Sequence, residues 1–364
     1  MALSAGAGWD DARRVLCVRL DTIGDVLMTT PAIRALRRSG RAVTLLTSPA
    51  GAEAGALVPE VDEVLVYRAP WMKPPPGGPG DDLAMVEELR GRQFDGAVIF
   101  TVYSQSPLPA AMLCHLAGIP RRLAHCRENA YWLLTDRVPE PEPDRIVRHE
   151  VRRQLDLVAT IGATTDDEAL SVVVPEPARS RAAELLDRLG VEEGRPWAVV
   201  HPGASAPSRR YPAEHWAEVG RSLARDHGWT LVLTGSPDEV ELANTIGEAI
   251  GPPARSVAGR LDVAGLAAVL ERAPLLVAGN TGPVHVAAAV GTPVVDLYAL
   301  TNPQHTPWGV AHVVLSHDVP CRYCYASVCP MGHHDCLRRV EPADVVRAAV
   351  GLRERAQAAP RPAS

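Results

Sequence analysis

The stretch VLCVRLDTIGDVLMTTP at residues 15–31 decides how the first half of the chain folds. Residues 15–20 form a short apolar run that predicts a buried β-strand, and residues 25–38 have the apolar spacing of a helix. Pro31 lies inside this helical stretch and predicts a kink or a late start. Further strands are predicted at residues 43–47, 64–67, 97–101 and 170–174. Strands that alternate with helices in this way predict a parallel sheet covered by helices on both faces.

The same alternation restarts near residue 197 and fills the second half of the chain. Strands are predicted at residues 197–201, 230–234, 275–278 and 293–298, with helices at residues 213–226, 239–250 and 264–272. The pattern is that of an α/β protein with two Rossmann-like, doubly wound domains, for which a cleft between the domains is the expected ligand site. We place the domains at residues 1–175 and 197–340, with a linker region at 176–196 and a C-terminal helix and tail at 341–364.

Composition and charge exclude several classes of protein. The 364 residues carry a formal net charge of −6, which provides no field that would attract nucleic acid. No apolar run reaches the length of about 18 residues that a membrane-spanning helix needs, and the N-terminal residues lack the pattern of a signal peptide. We therefore expect a cytoplasmic protein, and peripheral contact with a membrane-borne acceptor stays open. For the oligomeric state, on which the sequence gives no signal, we take a monomer as the default.

Asp25 lies where the first predicted strand passes into its helix. Gly24 permits a tight turn just before it, and Thr22 belongs to the same loop. A carboxylate at this position often caps a helix, and it can also serve as a general base at the carboxyl end of a strand. The pattern alone favours the capping role.

The segment HPGASAPSRRYP at residues 201–212 follows a predicted strand and has the composition of a phosphate-binding loop. Ser205 offers a hydroxyl group and Arg209 a guanidinium group, to which backbone N–H groups can add. A solvated surface loop has a similar composition, so both interpretations stand.

The segment TGSPDEVE at residues 234–241 also follows a predicted strand. Glu239 falls in the first turn of the next helix, where a carboxylate is stabilised by the helix dipole. A carboxylate at a strand exit can also hold the hydroxyl groups of a ribose. The structural role is the simpler of the two.

The segment LLVAGNTGPVHVAAAVGTPVV at residues 275–295 joins a buried strand to a helix of small residues. Asn280, Thr281 and Gly282 open that helix, whose N-terminal amides predict an anion site. His285 falls in its first turn and is expected to face the same ligand, although an isolated histidine is more often a buried structural residue.

These four segments, in this order, resemble the lipopolysaccharide heptosyltransferases that form glycosyltransferase family nine. RLDTIGDVLMTTP resembles the family's first motif, and HPGAS…RRYP, TGSPDE and NTGPVHVAAA resemble its donor site. The resemblance extends over roughly residues 13–350. It implies a GT-B fold, an N-terminal domain that binds the acceptor, a C-terminal domain that binds the nucleotide sugar, and inverting transfer without a metal ion, commonly from ADP-heptose.

The resemblance also implies roles for individual residues. Asp25 would be the general base, with Thr22 and Gly24 in the acceptor loop. Many members of the family have Asp-Thr-Gly where this chain has Asn-Thr-Gly, which leaves open the donor sugar and the role of that position. The donor contacts that the resemblance implies are Ser205, Arg209, Glu239, Asn280, Thr281, Gly282 and His285.

Two other functions fit parts of the sequence. A nucleotide-sugar epimerase can share the fold and the donor site, and a non-catalytic metal-binding protein could be organised around the chain's cysteines. The acceptor stays open among a lipopolysaccharide core, another envelope glycan and a small natural product.

The segment CRYCYASVCPMGHHDC at residues 321–336 holds four of the seven cysteines. Four sulfur atoms at this spacing can enclose a tetrahedral zinc ion, and an iron–sulfur cluster is also chemically suitable. Reduced or disulfide-paired cysteines in a packed loop explain the segment equally well. We expect a structural clasp with a possible zinc ion and no cofactor for catalysis, and the residues concerned are Cys321, Cys324, Cys329 and Cys336.

Overall fold

The computed structural model describes residues 8–72, 78–192 and 194–358. The chain divides into two compact units at residues 173 and 174. Each unit contains a six-stranded sheet in the part of the chain that is described, and every pairing within both sheets is parallel. The predicted α/β class with two parallel sheets is confirmed.

The first unit has its sheet at the centre and its helices against the faces. The strands are β1 (Arg14–Arg19), β2 (Ala42–Thr47), β3 (Glu63–Val66), β4 (Gly96–Ile99), β5 (Arg122–Cys126) and β6 (Asp136–Pro139), and the helices are α1 (Ile23–Arg38), α2 (Pro49–Gly55), α3 (Pro79–Arg92), α4 (Leu108–Leu116) and α5 (Glu150–Ala159). The strand order is β3-β2-β1-β4-β5-β6. Because the order reverses between β1 and β4, the loop that follows β1 leaves the sheet at its topological switch point, where doubly wound folds bind ligands.

The second unit repeats this architecture. Its strands are β7 (Trp197–His201), β8 (Thr230–Leu233), β9 (Ala254–Ser256), β10 (Leu276–Gly279), β11 (Val294–Leu297) and β12 (His312–Leu315), and its helices are α6 (Glu176–Arg188), α7 (Ala213–His227), α8 (Val240–Ile250), α9 (Val263–Arg272), α10 (Gly282–Ala289), α11 (Asp335–Arg338) and α12 (Pro342–Ala358). The strand order is β12-β11-β10-β7-β8-β9. The switch point therefore lies between β7 and β10, and the loops after these two strands leave the sheet side by side.

Helix α1 tolerates a proline in its interior. It runs from Ile23 through Pro31 to Arg38, so the predicted late start is wrong. Proline has no backbone N–H and therefore leaves the carbonyl group four residues earlier without its helical donor. That carbonyl belongs to Leu27, and the hydroxyl group of Thr30 donates to it at 2.7 Å. A neighbouring side chain thus supplies the missing hydrogen bond.

One prediction about the middle of the chain needs correction. Residues 170–174 do not form a strand, and the N–H of Val173 donates to the carbonyl of Leu57 at 2.8 Å. The region predicted as a linker, 176–196, contains α6, which packs against α9 within the second unit. An apolar run is thus not sufficient for a strand, because a strand also has to pair with a neighbouring strand.

The C-terminal helix α12 belongs to the core of the second unit. Val345, Ala349 and Leu352 are buried there. The helix runs to Ala358, and residues 359–364 of the predicted tail lie outside the described residues. Within the described ranges, no helix has both the length and the apolar character to cross a membrane.

Candidate active site

Asp25 is held at the first turn of α1 by the residue that caps this helix. Thr22 is the N-cap residue, and Asp25 follows three positions later. The backbone N–H and the hydroxyl group of Thr22 donate to Oδ2 of Asp25 at 3.1 and 2.9 Å. Gly24 is buried between them. The carboxylate therefore satisfies the helix end, as the capping interpretation predicted, and its side chain keeps 16% exposure.

The other oxygen of Asp25 meets a buried cation that the sequence interpretation missed. Arg19 ends β1, and its side chain has no exposure to solvent. Its Nη2 donates to Oδ1 of Asp25 at 3.0 Å, and its Nη1 donates to Oε1 of Glu150 at 2.9 Å. Burial alone would lower the pKa of Arg19, but the charges of Asp21, Glu150 and Asp25 raise it above its usual range. The cation therefore stays ionised inside the unit.

Asp21 is the third carboxylate around this cation. Its Oδ2 lies 3.0 Å from Nε of Arg19, and its Oδ1 accepts a hydrogen bond from Nε2 of Gln105 at 2.7 Å. The pair with Nε is a close ionic contact rather than an aligned hydrogen bond, since that nitrogen has no hydrogen-bond partner. Asp21 and Arg19 lie within the motif at residues 15–31, although neither was predicted as a site residue, whereas Glu150 and Gln105 are distant from it in sequence.

In the second unit, the loop after β7 presents the residues expected to bind phosphate. Ser205 is exposed, and Arg209 is half-buried at the end of a short 3₁₀ turn, Pro207–Arg209. The loop comes close to the end of β10, because a Cβ atom added to Gly279 would lie 3.2 Å from the carbonyl oxygen of Arg209. The structure thus brings the loop after β7 to the loop after β10.

Glu239 joins the loop after β8 to the start of the loop after β7. Its Oε2 accepts the backbone N–H of Ser236 at 2.8 Å and lies 3.7 Å from Nε2 of His201. A Cβ atom added to Gly203 would lie 2.1–2.4 Å from the carboxylate of Glu239. The absence of a side chain at Gly203 therefore leaves room for this carboxylate, which has 14% exposure.

Asn280 is buried, and its amide group is directed into the protein. Its Nδ2 donates to the carbonyl of His305 at 2.7 Å and to Oδ2 of Asp296 at 3.4 Å. Asp296 lies on β11 without exposure, and burial raises its pKa to about 8, against the lowering effects of Asn280 and Arg209. An aspartate in place of Asn280 would set two carboxylates against each other, so the amide suits this neighbour.

Helix α10 begins directly after Asn280. Thr281 is its N-cap residue, and Thr281 and Gly282 are both partly exposed. The first amides of a helix lack intrahelical partners and form an anion site. His285 lies in the first turn of α10 but is only 4% exposed, so most of its ring is buried within the unit.

The cysteine loop, residues 321–336, supports the loop after β7. The backbone N–H of Ser208 donates to the carbonyl of Ser327 at 3.0 Å, and the Ser208 hydroxyl donates to the carbonyl of Ala326 at 2.7 Å. The N–H of Tyr325 donates to the carbonyl of Thr301, in the loop after β11, at 2.8 Å. The cysteine loop thus fixes two of the loops that surround the candidate site.

The four cysteines of this loop are free thiols that line one small cavity of about 20 Å³. Cys321 Sγ lies 3.7 Å from Nε2 of His333. Burial would raise the pKa of Cys329, but backbone N–H groups of residues 331–334 lower it overall. Among the described side chains, no group of three or more His, Cys, Asp or Glu is arranged to hold a metal ion, so the predicted zinc ion has no support here.

Comparison with known proteins gives a consistent result. The model of glycosyltransferase family 9 (heptosyltransferase) matches residues 83–334. Lipopolysaccharide heptosyltransferase 1 of Pseudomonas aeruginosa is 28% identical over 324 residues, which cover 87% of each chain. Two solved structures share the fold. A family 9 glycosyl transferase from Veillonella parvula has a TM-score of 0.78 at 21% identity and covers 97% of this chain and 99% of its own. The E. coli ADP-heptose lps heptosyltransferase II has a TM-score of 0.74 at 23% identity, with coverage of 94% and 99%.

The buried carboxyl group of Asp296 leads to a prediction about how the stability of the protein depends on pH. Its pKa of about 8 in the folded chain lies above the ordinary value of 3.8, so between these values the unfolded chain releases a proton that the folded chain keeps. The free energy of unfolding should therefore decrease with rising pH, by at most about 1.4 kcal/mol per pH unit from this group. We expect Asp296→Asn to remove this contribution, so that its stability relative to the wild type increases between pH 5 and pH 8 in urea titrations. The control is Asp187→Asn, which replaces an exposed carboxylate on α6. A stability difference that does not change with pH would contradict the prediction.

The hydrogen bond from Ser208 to the cysteine loop leads to a second prediction. Removal of its hydroxyl group in Ser208→Ala leaves the carbonyl of Ala326 without a donor, and we expect a loss of about 1–2 kcal/mol in unfolding free energy. Ser205→Ala is the matched control on the same loop, because the exposed hydroxyl should change stability by less than about 0.5 kcal/mol. Urea denaturation followed by tryptophan fluorescence measures both variants. Equal stability of the two would show that the contact with the cysteine loop contributes little.

Proposed function

Since the chain belongs to glycosyltransferase family 9, we propose that it transfers a heptosyl group from ADP-heptose to a hydroxyl group of a lipopolysaccharide acceptor. The observation that carries the proposal is the Asp25 carboxylate at the carboxyl end of β1, where Thr22 and Arg19 fix both of its oxygens. Partial exposure leaves this carboxylate accessible to a substrate. A carboxylate that is fixed in place and partly exposed can act as a general base toward a hydroxyl group that comes within hydrogen-bond distance.

Asp25 takes the proton in the proposed reaction. The acceptor oxygen attacks the anomeric carbon of the donor as the bond from that carbon to the diphosphate breaks, and the acceptor proton passes to the carboxylate of Asp25. The diphosphate leaves with the bonding electron pair. Attack on the face opposite the leaving group inverts the anomeric configuration.

The second unit stabilises the charge that develops on the leaving diphosphate. Arg209 supplies a cation, Ser205 a hydroxyl group, and the start of α10 at Thr281 and Gly282 supplies backbone amides. Guanidinium groups can bind two phosphate oxygens at once. Asn280 and His285 lie on either side of this helix start in the sequence, and both are buried.

In the proposed complex, Glu239 binds the ribose of the nucleotide. Its carboxylate lies at the exit of β8, beside the loop after β7, and keeps partial exposure. Carboxylates at such strand exits hold ribose hydroxyl groups in doubly wound folds. Its hydrogen bond to the backbone of Ser236 leaves lone pairs on both oxygens for a ligand.

Asp25→Asn tests the assignment of the base. Asparagine keeps an oxygen for the Thr22 contacts but cannot take the proton, so we expect the transfer rate to drop by about 10²–10⁴-fold. ADP affinity should stay unchanged, because the proposed donor residues lie in the other unit, and circular dichroism checks that the variant folds. The assay measures ADP release from ADP-heptose with heptose-free lipopolysaccharide as acceptor. Wild-type transfer rates in Asp25→Asn would overturn the assignment.

The same reaction mixture separates the alternatives when conversion of the donor is measured together with ADP release. An epimerase would convert the donor at full rate without acceptor, whereas a glycosyltransferase releases ADP only slowly by hydrolysis. A protein that works through its cysteine loop would lose function in Cys324→Ser and keep it in Asp25→Asn. ADP release that requires the acceptor and Asp25 therefore favours the glycosyltransferase over both.

Gly203→Ala tests the nucleotide site by moving a side chain instead of removing it. The new methyl group would occupy the position of the Glu239 carboxylate, which ends a flexible side chain and can swing away. We expect ADP affinity to decrease about tenfold, similar to the effect of Glu239→Ala and equivalent to about 1.4 kcal/mol. Isothermal titration calorimetry measures both variants. Gly247→Ala on α8 is the control, since its nearest neighbour would lie 3.9 Å from the added Cβ. Unchanged affinity in Gly203→Ala would remove Glu239 from the nucleotide site.

A further inference from the structure

Three carboxylates surround the guanidinium group of Arg19, but only Asp25 has a role in the reaction so far. Each carboxylate meets a different nitrogen: Asp21 lies at Nε, Asp25 at Nη2 and Glu150 at Nη1, at 2.9–3.0 Å. The guanidinium group itself has no exposure. A cation that is fully enclosed and shared among three anions determines how strongly each anion holds a proton.

We propose that Asp21 is a positioning residue for the general base: by sharing Arg19 with Asp25, its carboxylate keeps Asp25 basic enough to accept the proton of the acceptor hydroxyl. The proposal rests on the assignment of Asp25 as the base. It adds a second carboxylate to the acceptor side of the site, and that carboxylate does not touch the reacting atoms.

The distribution of cations selects Asp21 rather than Glu150. A second cation, Arg153, lies 3.8 Å from Oε1 of Glu150, so the charge of Glu150 has two partners. The charged groups that act on Asp21 are Arg19, Asp25 and Glu150, and its other contact, Gln105, is neutral. Arg19 is thus the cation that Asp21 and Asp25 share.

The sharing has a clear electrostatic consequence. An arginine that pairs with one carboxylate lowers the pKa of that carboxylate, which makes it a poor base. A second carboxylate on the same arginine opposes this effect, because the two negative charges repel each other. Burial, reinforced by the charges of Asp25 and Glu150 and opposed by Arg19, raises the pKa of Asp21 to about 6. Asp21 is therefore charged above about pH 6, where it raises the proton affinity of Asp25.

The same arrangement is suited to the state after proton transfer. Once the acceptor proton lies on Asp25, that carboxyl group is neutral and no longer balances Arg19. Asp21 stays 3.0 Å from Nε and continues to balance the buried cation. The hydrogen bond from Gln105 and the ionic contact with Arg19 hold Asp21 in place, so no charged group has to move during the step.

Asp21→Asn tests the proposal. Asparagine keeps the shape and can accept the hydrogen bond from Gln105, but it removes the negative charge. Arg19 then acts more strongly on Asp25, and we expect the acid limb of the pH–rate profile to move about one pH unit lower, with a rate lower by a factor of at most about ten at pH 7.5. The readout is the single-turnover rate with saturating ADP-heptose and heptose-free lipopolysaccharide, from pH 5 to 9. The ADP dissociation constant should not change.

Asp95→Asn is the matched control. Asp95 accepts the backbone N–H groups of Arg13 and Arg14 at 2.7 and 2.8 Å at the start of β1, so this variant removes a carboxylate at the opposite end of the same strand. Its acid limb should coincide with that of the wild type. If Asp21→Asn does not fold, as judged by circular dichroism, Asp21→Ser removes the charge with a smaller side chain and carries the same expectation.

The outcomes separate the two proposals. If Asp25→Asn transfers heptose at the wild-type rate, the proposed base is wrong and the role of Asp21 is wrong with it. If Asp25→Asn is inactive and the profile of Asp21→Asn runs parallel to that of the wild type, the base stands and only the role of Asp21 is overturned. A shifted acid limb in Asp21→Asn, with Asp95→Asn unshifted, supports the proposal.

Discussion

The parallel pairing of every strand in both sheets is the constraint on which the candidate site depends. Parallel strands place all their carboxyl ends at one edge, so the loops after them collect side chains that are far apart in sequence. In the first unit this edge holds Arg19, Asp21 and Asp25. In the second unit it holds the loops after β7, β8, β10 and β11. Each half of the proposed reaction thus has its residues assembled by the topology of one sheet.

Much of this arrangement could be predicted from the sequence because it is local. The apolar spacing of residues 15–38 predicts a strand followed by a helix, and the position of Asp25 between the two marks it as a candidate site residue. The capping role of Asp25 and its proposed catalytic role are compatible in the structure, since Thr22 holds one oxygen and leaves the side chain partly exposed. Asp25 can therefore cap the helix and also act as the proposed base.

The rest could not be predicted because it depends on contacts that are distant in sequence. Glu150 lies 131 residues from Arg19 and Gln105 lies 84 residues from Asp21, and neither stands in a recognisable motif. The strand predicted at 170–174 has the right composition, but the structure gives that segment no place in the sheet. The signal for the buried cluster was an arginine at the end of an apolar strand, since an enclosed guanidinium requires carboxylates around it.

In the second unit, too, the residue that suits one position depends on a buried neighbour on another strand. Asn280 stands where many relatives were expected to have aspartate, and its amide faces Asp296, a carboxylate without exposure. A second carboxylate there would face the first in a setting where neither is easily ionised. The amide instead donates to Asp296 and to the carbonyl of His305, which ties the end of β10 to β11 and to the loop that follows β11. The amide at this position therefore suits its buried neighbour, and the cation that we propose for the diphosphate is Arg209 on the adjacent loop.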